Sequence, residues 1–213
     1  MTPTNNTLID GVTATLQAQY GGHTGRIGLR EVLLAYRRID RKAFLPPAFH
    51  GQAYEDVALD LGGGAHAFRP TDVIENLASL GLYEGARVLE IGPGRGYVTV
   101  GLDALVGETG QVTSMEIDDR KAQQLTRRLK EYLGRPTLGP RVVVAYGNGR
   151  EGYPMRGPYT HIIYNVAAQP EDINIPVLLN QLEPGGNLLV PLKPRQASLM
   201  IKKRAHDLPD MTR

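Results

Sequence analysis

The stretch RVLEIGPGRGYVTVGL, residues 87–102, sets three glycines between a short apolar run and a helix-like run. Gly92, Gly94 and Gly96 spell G-x-G-x-G, and Tyr97 stands where the third glycine of the dinucleotide pattern G-x-G-x-x-G would fall. Glu90, two residues ahead of the first glycine, would repel a pyrophosphate but would hold an ammonium directly or through water. Glu116 closes the next apolar run, TSMEID, where an acid can accept from both hydroxyls of a ribose. It is equally a neighbour of a helix start, with Asp118 and Asp119 favouring the dipole, and the two roles are compatible. In YGNGREG, Gly147 and Gly149 permit close approach and Asn148 offers an amide to a purine edge; the plainer alternative is an ordinary Asn-Gly turn.

These residues need a frame that brings them to one edge. After Pro70 the chain alternates: helix TDVIENLASLG, strand RVLEI, a helix from about Tyr97 to Leu105, strand QVTSMEI, helix DRKAQQLTRRLKEYLG and strand RVVVAY. Strand THIIYNVA, helix IPVLLNQL and strand GNLLVPL follow. Such alternation is the signature of right-handed βαβ units, hence an α/β fold with a doubly wound, mostly parallel Rossmann-like sheet and helices on both faces. SLMIKKR follows closely enough to pair back as an antiparallel C-terminal hairpin. The N-terminal part reads as two helices, TLIDGVTATLQAQY and IGLREVLLAYRRI, then a long glycine-rich loop over GQAYEDVALDLGGGAHAFRP. Residues 1–69 are thus a helical region with a covering loop, and 70–213 the cofactor-binding core. Ligands of such sheets sit beyond the carboxyl ends of the strands, where strand order reverses. Three turns along that edge make S-adenosylmethionine the natural occupant, with NAD the rival.

Composition narrows the classes. With 213 residues, 41% of them hydrophobic, the chain can bury a sizeable core in one main domain. A net charge of +2 and short basic groups such as Arg37-Arg38 and Arg127-Arg128 read as solvated faces, so nucleic acid is not an expected partner. The absence of cysteine excludes disulfides, thiolate catalysis and cysteine-based zinc sites. The five histidines are dispersed, and no metal is expected. No signal-like or membrane-spanning run is visible, which suits a soluble cytoplasmic protein with no membrane partner.

The runs AYEDVALDLGGG, VLEIGPGRGYVT, GNGREGYP, PYTHIIYNVAA and LLNQLEPGGNLLVPL resemble, in order and spacing, the protein-L-isoaspartate O-methyltransferases, from about Ile27 to Arg204. The resemblance implies a class I methyltransferase fold, a carboxylate of a peptide or protein as methyl acceptor, and a cofactor lined by Gly92, Gly94, Gly96, Glu116, Ile117, Asn148 and Gly149. Glu90 and Tyr97 belong to the same expected cofactor set.

The chain also departs from that family. Where members carry Thr-x-Ser, it reads AHAFRP, so His66 and Phe68 replace two hydroxyl residues. His66 is either a hydrogen-bond donor to the acceptor or a plain loop histidine; a base is unnecessary, because an aspartyl-type carboxylate is already ionised at pH 7. Phe68 is expected as a hydrophobic lid, and the pair as the methyl-transfer loop. Arg69 offers a bidentate clamp for a carboxylate, against a simple exposed arginine. Tyr54, Glu55 and Asp56 anchor the loop, and Tyr54, Asp56, Arg69 and Asn165 make up the expected substrate side. Asn148 replaces the family's Asp in GDG. The family's further strand beyond the final hairpin is missing before Arg213, so a shortened chain or a partner completing that edge is expected. The altered loop favours a specialised enzyme acting on a particular biosynthetic peptide and forming a succinimide, with general isoaspartyl repair as the alternative. Methylation of nucleic acid or a small molecule, and a module without chemistry, are further alternatives; YNVAAQP lacks the prolines and aromatic of exocyclic-amine methylation.

Overall fold

The computed structural model describes residues 3–19, 28–166, 172–192 and 197–203. Two helices open the chain, α1 (Asn5–Gln19) and α2 (Leu29–Arg37), followed by 3-10 turns at Arg41–Phe44 and Pro47–Gln52. A small hairpin, β1 (Leu59–Gly62) and β2 (Ala65–Ala67), precedes α3 (Pro70–Leu80). The core then runs β3 (Arg87–Ile91), α4 (Tyr97–Val106), β4 (Gln111–Glu116), α5 (Asp119–Leu133), β5 (Val142–Tyr146), β6 (Tyr159–Tyr164), α6 (Ile175–Asn180), β7 (Leu182–Leu192) and β8 (Ala197–Lys202).

The six core strands lie in the order β5-β4-β3-β6-β7-β8, parallel except for the antiparallel β7–β8 pair. Order reverses between β3 and β6, which leaves a crevice at their carboxyl ends. The strands are buried on both sides, and their residues alternate between two apolar clusters. Val88, Ile163 and Leu189 pack with α1 to α5 on one face, whereas Leu89, Ile162 and Leu188 pack with α6 on the other. Leu8, Val32 and Val73 share the first of those clusters with Val88, so the N-terminal helices and the sheet have one continuous core.

The segment expected as a long loop after Gly51 is partly ordered as the β1–β2 hairpin. Gly62, Gly63 and Gly64 all take positive φ (80°, 59° and 76°), which turns the chain, and the ladder is irregular between Asp60 and Gly62. Two strands of four and three residues give too little alternation to register as a periodic signal. α6 ends at Asn180, and β7 starts at Leu182, four residues ahead of the expected strand; Leu182 pairs with Tyr159, and a register shift follows where Gly185 has positive φ (86°).

Candidate functional site

A cavity of about 460 Å³ opens at the carboxyl ends of β3, β4 and β6. Its floor is the glycine turn. Gly92 N donates to Met115 O at 3.0 Å and Gly96 N donates to Pro93 O at 3.0 Å, which fixes the turn between β3 and α4. Gly92, Gly94 and Gly96 have φ of 79°, 56° and 96°, a region costly for side chains. They differ in what a side chain would meet. A Cβ on Gly92 would collide with Val166 and one on Gly96 would come within 2.7 Å of Leu125, whereas a Cβ on Gly94 meets nothing within 4 Å. Gly94 therefore faces open cavity space, and a ligand can lie directly on its backbone.

The cofactor-side residues Gly92, Gly94, Tyr97, Glu116, Ile117, Asn148 and Gly149 all line this cavity. Glu116 is 8% exposed at the end of β4, and its Oε1 accepts from Asp118 N at 3.2 Å. Asp118 in turn caps α5 by accepting from Lys121 N at 3.1 Å, so capping and a carboxylate turned to the crevice coexist. Ile117 is 68% exposed at the mouth. Asn148 Oδ1 accepts from Arg150 N at 3.1 Å, and Gly149 is required because a Cβ there would overlap Ile91. Gly96 stands behind the wall, under Leu125 and Leu129.

Glu90 is not in the wall, which corrects its expected contact with the cofactor. It is fully buried in β3, and Thr99 Oγ1 and Ser114 Oγ each donate to its Oε2 at 2.6 Å. Asn165 Nδ2 donates to its Oε1 at 3.2 Å, and Asn165 does line the cavity. Burial raises the Glu90 carboxyl above the ordinary carboxylate value, against the three hydrogen bonds that favour its charge. Glu90 thus acts on the cavity through Asn165.

On the acceptor side, His66 and Phe68 line the cavity with Gly64, Ala65 and Ala67 of the hairpin. His66 Nδ1 lies 3.1 Å from Gly64 O, which fixes the ring's orientation and leaves Nε2 3.9 Å from Asp60. Three other expected substrate residues are directed elsewhere. Arg69 pairs with Asp72 at 2.6 Å, one helical turn away, so its guanidinium is engaged locally. Tyr54 donates to Asp40 Oδ1 at 3.0 Å. Asp56 accepts from Thr71 N at 2.8 Å and from Thr71 Oγ1 at 2.6 Å, which ties the loop to the start of α3. Asp56 is the anchor expected of it, but none of the three lines the cavity.

Arg41 was not singled out by sequence and holds this wall together. Only 1% exposed, it donates from Nη1 to Ala53 O (3.4 Å) and Glu55 O (2.7 Å), and from Nη2 to Val57 O (2.8 Å) and Phe68 O (3.2 Å). Its neighbour across the cavity wall is Tyr97, whose hydroxyl and the Arg41 Nε are both buried without a hydrogen-bond partner among the described residues. Burial raises the Tyr97 hydroxyl far above its ordinary value and keeps it protonated. Arg128, half of a basic pair that reads as a solvated face, also borders the cavity, with Arg95, Lys121 and Gln124. No local sequence signal separates these residues from surface charge.

Among known proteins, the family model for protein-L-isoaspartate(D-aspartate) O-methyltransferase matches residues 19–212. A protein-L-isoaspartate O-methyltransferase of Ignicoccus hospitalis is 35% identical over 172 residues, 79% of this chain and 76% of that protein. One from Anaeromyxobacter dehalogenans is 35% identical over 192 residues, 89% and 87% of the two chains. A solved protein-L-isoaspartate O-methyltransferase superposes with a TM-score of 0.72 at 27% identity; 94% of this chain is covered, but it spans only 60% of that one. A Plasmodium falciparum structure titled as a putative member in complex with S-adenosyl-L-homocysteine superposes with a TM-score of 0.70 at 16% identity, a likeness of fold, over 95% of this chain and 90% of that one. This chain belongs to the protein-L-isoaspartate(D-aspartate) O-methyltransferase family.

Proposed function

We propose that this chain methylates the free carboxylate of isoaspartyl residues in proteins or peptides, as a general repair enzyme does. Family membership makes it an S-adenosylmethionine-dependent methyltransferase. The observation that carries the assignment is the meeting, in one cavity, of the glycine turn, Glu116 and Asn148–Gly149 with the His66–Phe68 wall and Asn165.

The residues present fit the cofactor. Gly94 leaves room for direct contact, and Glu116 is a carboxylate where ribose hydroxyls donate. Bound there, S-adenosylmethionine would supply an electrophilic methyl group on a sulfonium, with the neutral thioether as leaving group for the attacking carboxylate oxygen. The chain's own residues bind, orient and exclude water. Asn148 would present its amide to the purine edge, and Ile117, at the mouth, would cover the adenosine. Phe68 excludes water from the acceptor, whose carboxylate is already ionised and needs no base. His66, whose Nδ1 is held by donating to Gly64 O, offers Nε2 as an acceptor to the peptide, and Asn165, oriented by Glu90, offers an amide on the same side. The resulting ester can be attacked by the neighbouring peptide nitrogen, giving a succinimide and methanol.

A specialised biosynthetic role, expected from AHAFRP, gains no support from the relatives, which carry the name protein-L-isoaspartate O-methyltransferase; general repair fits them. Incubating several unrelated isoaspartyl peptides with labelled S-adenosylmethionine, followed by mass spectrometry, tests this. Methyl gain and later loss of methanol on most of them is expected. No turnover on any of them, with S-adenosylhomocysteine still bound by calorimetry, would overturn the substrate class.

A further inference from the structure

The charges around the cavity do not balance. Glu116 is the only carboxylate among the described lining residues, while Arg41, Arg95, Lys121 and Arg128 supply cations. Arg41 is unavailable to a ligand, since its guanidinium is turned to main-chain carbonyls and buried. The other cations gather on one wall. Lys121, Gln124 and Arg128 follow one another along α5 at helical spacing, beside its buried stripe Ala122, Leu125 and Leu129. Arg95 joins them from the glycine turn: its Nε donates to Phe44 O at 2.8 Å, and its own carbonyl accepts from Arg128 Nη1 at 3.4 Å. Neither Arg95, Lys121 nor Arg128 has a carboxylate within ion-pair distance among the described residues, unlike Arg69, Arg135 and Arg141. Burial disfavours the charge of both arginines, and for Arg128 the proximity of Arg95 adds to it, with Glu131 a smaller opposing influence.

A cationic wall of this kind supplies more positive charge than the single carboxylate of a cofactor that also carries a sulfonium and an ammonium can match. It favours an anionic partner that arrives separately. The reacting carboxylate is a poor occupant, because a bidentate guanidinium would withdraw the electron density with which it attacks. Resting on the methyltransferase assignment, we propose that Arg95 and Arg128 form a subsite for a second, non-reacting carboxylate of the peptide: an acidic side chain flanking the isoaspartyl residue. The wall then selects acidic segments of damaged proteins and holds them while the isoaspartyl carboxylate reaches the methyl group.

The test uses isoaspartyl peptides that carry a single Glu, or Gln, at each flanking position in turn. The unmodified protein is expected to prefer Glu in kcat/KM at one or more positions by about fivefold, the scale of a partly exposed ion pair. The preference should shrink with added salt. Arg128→Gln and Arg95→Gln are each expected to bring the Glu-to-Gln ratio close to one, and Arg128→Lys to restore part of it. Melting temperatures identify a variant that fails to fold, and the remaining variant carries the test. Equal rates on Glu and Gln peptides in the unmodified protein, or a preference that survives both substitutions, overturn the proposal. A matching loss of S-adenosylhomocysteine affinity by calorimetry would assign the arginines to the cofactor's own carboxylate and overturn it too. Failure to methylate any isoaspartyl peptide would instead refute the substrate class.

Discussion

Asn165 donates its side-chain amide to Glu90 at 3.2 Å, and this contact joins the end of β6 to the centre of the sheet. The backbone reinforces it, because Asn165 N donates to Ile91 O at 2.7 Å. Thr99 of α4 and Ser114 of β4 complete the set around the same carboxyl group. Glu90 therefore ties together the elements on both sides of the crevice where strand order reverses, although it does not touch the cavity.

Replacing Glu90 separates its shape from its charge. Glu90→Ala leaves the Thr99 and Ser114 hydroxyls buried without their acceptor and opens a void, and a loss of about 3 kcal/mol in urea unfolding is expected. Glu90→Gln keeps the shape, and either hydroxyl can accept from the new amide. The pH response also changes. Burial raises the folded-state pKa, so the native protein holds the proton to higher pH than the unfolded chain. The stability this proton linkage contributes is fully present below the ordinary carboxylate value and is lost as pH rises through the elevated folded value. Urea midpoints across that window should lose this slope in Glu90→Gln.

His161 works in the opposite sense. It is 3% exposed in β6, its Nδ1 lies 2.8 Å from Thr160 Oγ1, and burial lowers its pKa to about 4. The unfolded chain therefore takes up a proton before the native one does. Stability is intact above the unfolded value, erodes as pH falls below about 6.5, and has lost at most about 3 kcal/mol once pH is below the folded value. His161→Gln should flatten this acid limb between pH 6.5 and 4, measured as the urea midpoint.

Gly92 and Gly94 should respond differently to alanine. Both have positive φ, which costs an alanine about 1 kcal/mol. At Gly92 the new methyl also strikes Val166 and lies 3.3 Å from the Asn165 backbone, so Gly92→Ala should lower the melting temperature and displace the segment that presents Asn165. At Gly94 the methyl projects into the cavity and meets no protein atom. Gly94→Ala should fold with little loss, yet bind S-adenosylhomocysteine at least about tenfold more weakly, because the methyl takes up ligand space. Calorimetry alongside thermal melts distinguishes the two. Equal binding losses at similar stability would contradict the geometry.

Much of this frame is legible in sequence because its signals are local. Arg87–Ile91 is read to the residue, since an apolar run meets a glycine turn directly, and Glu116 and Asp118 follow from the strand-to-helix junction. The errors arise where partners are distant in sequence. Nothing near Glu90 shows that Ser114, 24 residues on, and Asn165, 75 residues on, will satisfy it, so a wall position looked equally good. Arg41 has the same difficulty, because its acceptors lie up to 27 residues away, on carbonyls with no side-chain signature. Arg69 is the exception: its partner Asp72 stands three residues ahead, and the sequence carried that signal.

Arg41 yields the most direct test of how the acceptor wall is held. Its guanidinium fork spans carbonyls from Ala53 to Phe68, a geometry that a lysine ammonium cannot reproduce. Arg41→Lys and Arg41→Met should each destabilise the fold, the latter by about 3 kcal/mol, because four main-chain carbonyls, that of Ala53 buried and the others partly so, lose their donor. A purely structural role would end there. Since Phe68 O is one of the acceptors, loosening the segment should also shift the cavity wall. In Arg41→Lys, held well below its melting temperature, KM for an isoaspartyl peptide should rise while S-adenosylhomocysteine affinity changes much less. Amide exchange should quicken at residues 53–68 and not in β3 or β4. If cofactor affinity and peptide KM worsen together, Arg41 supports the whole crevice and not the acceptor wall alone.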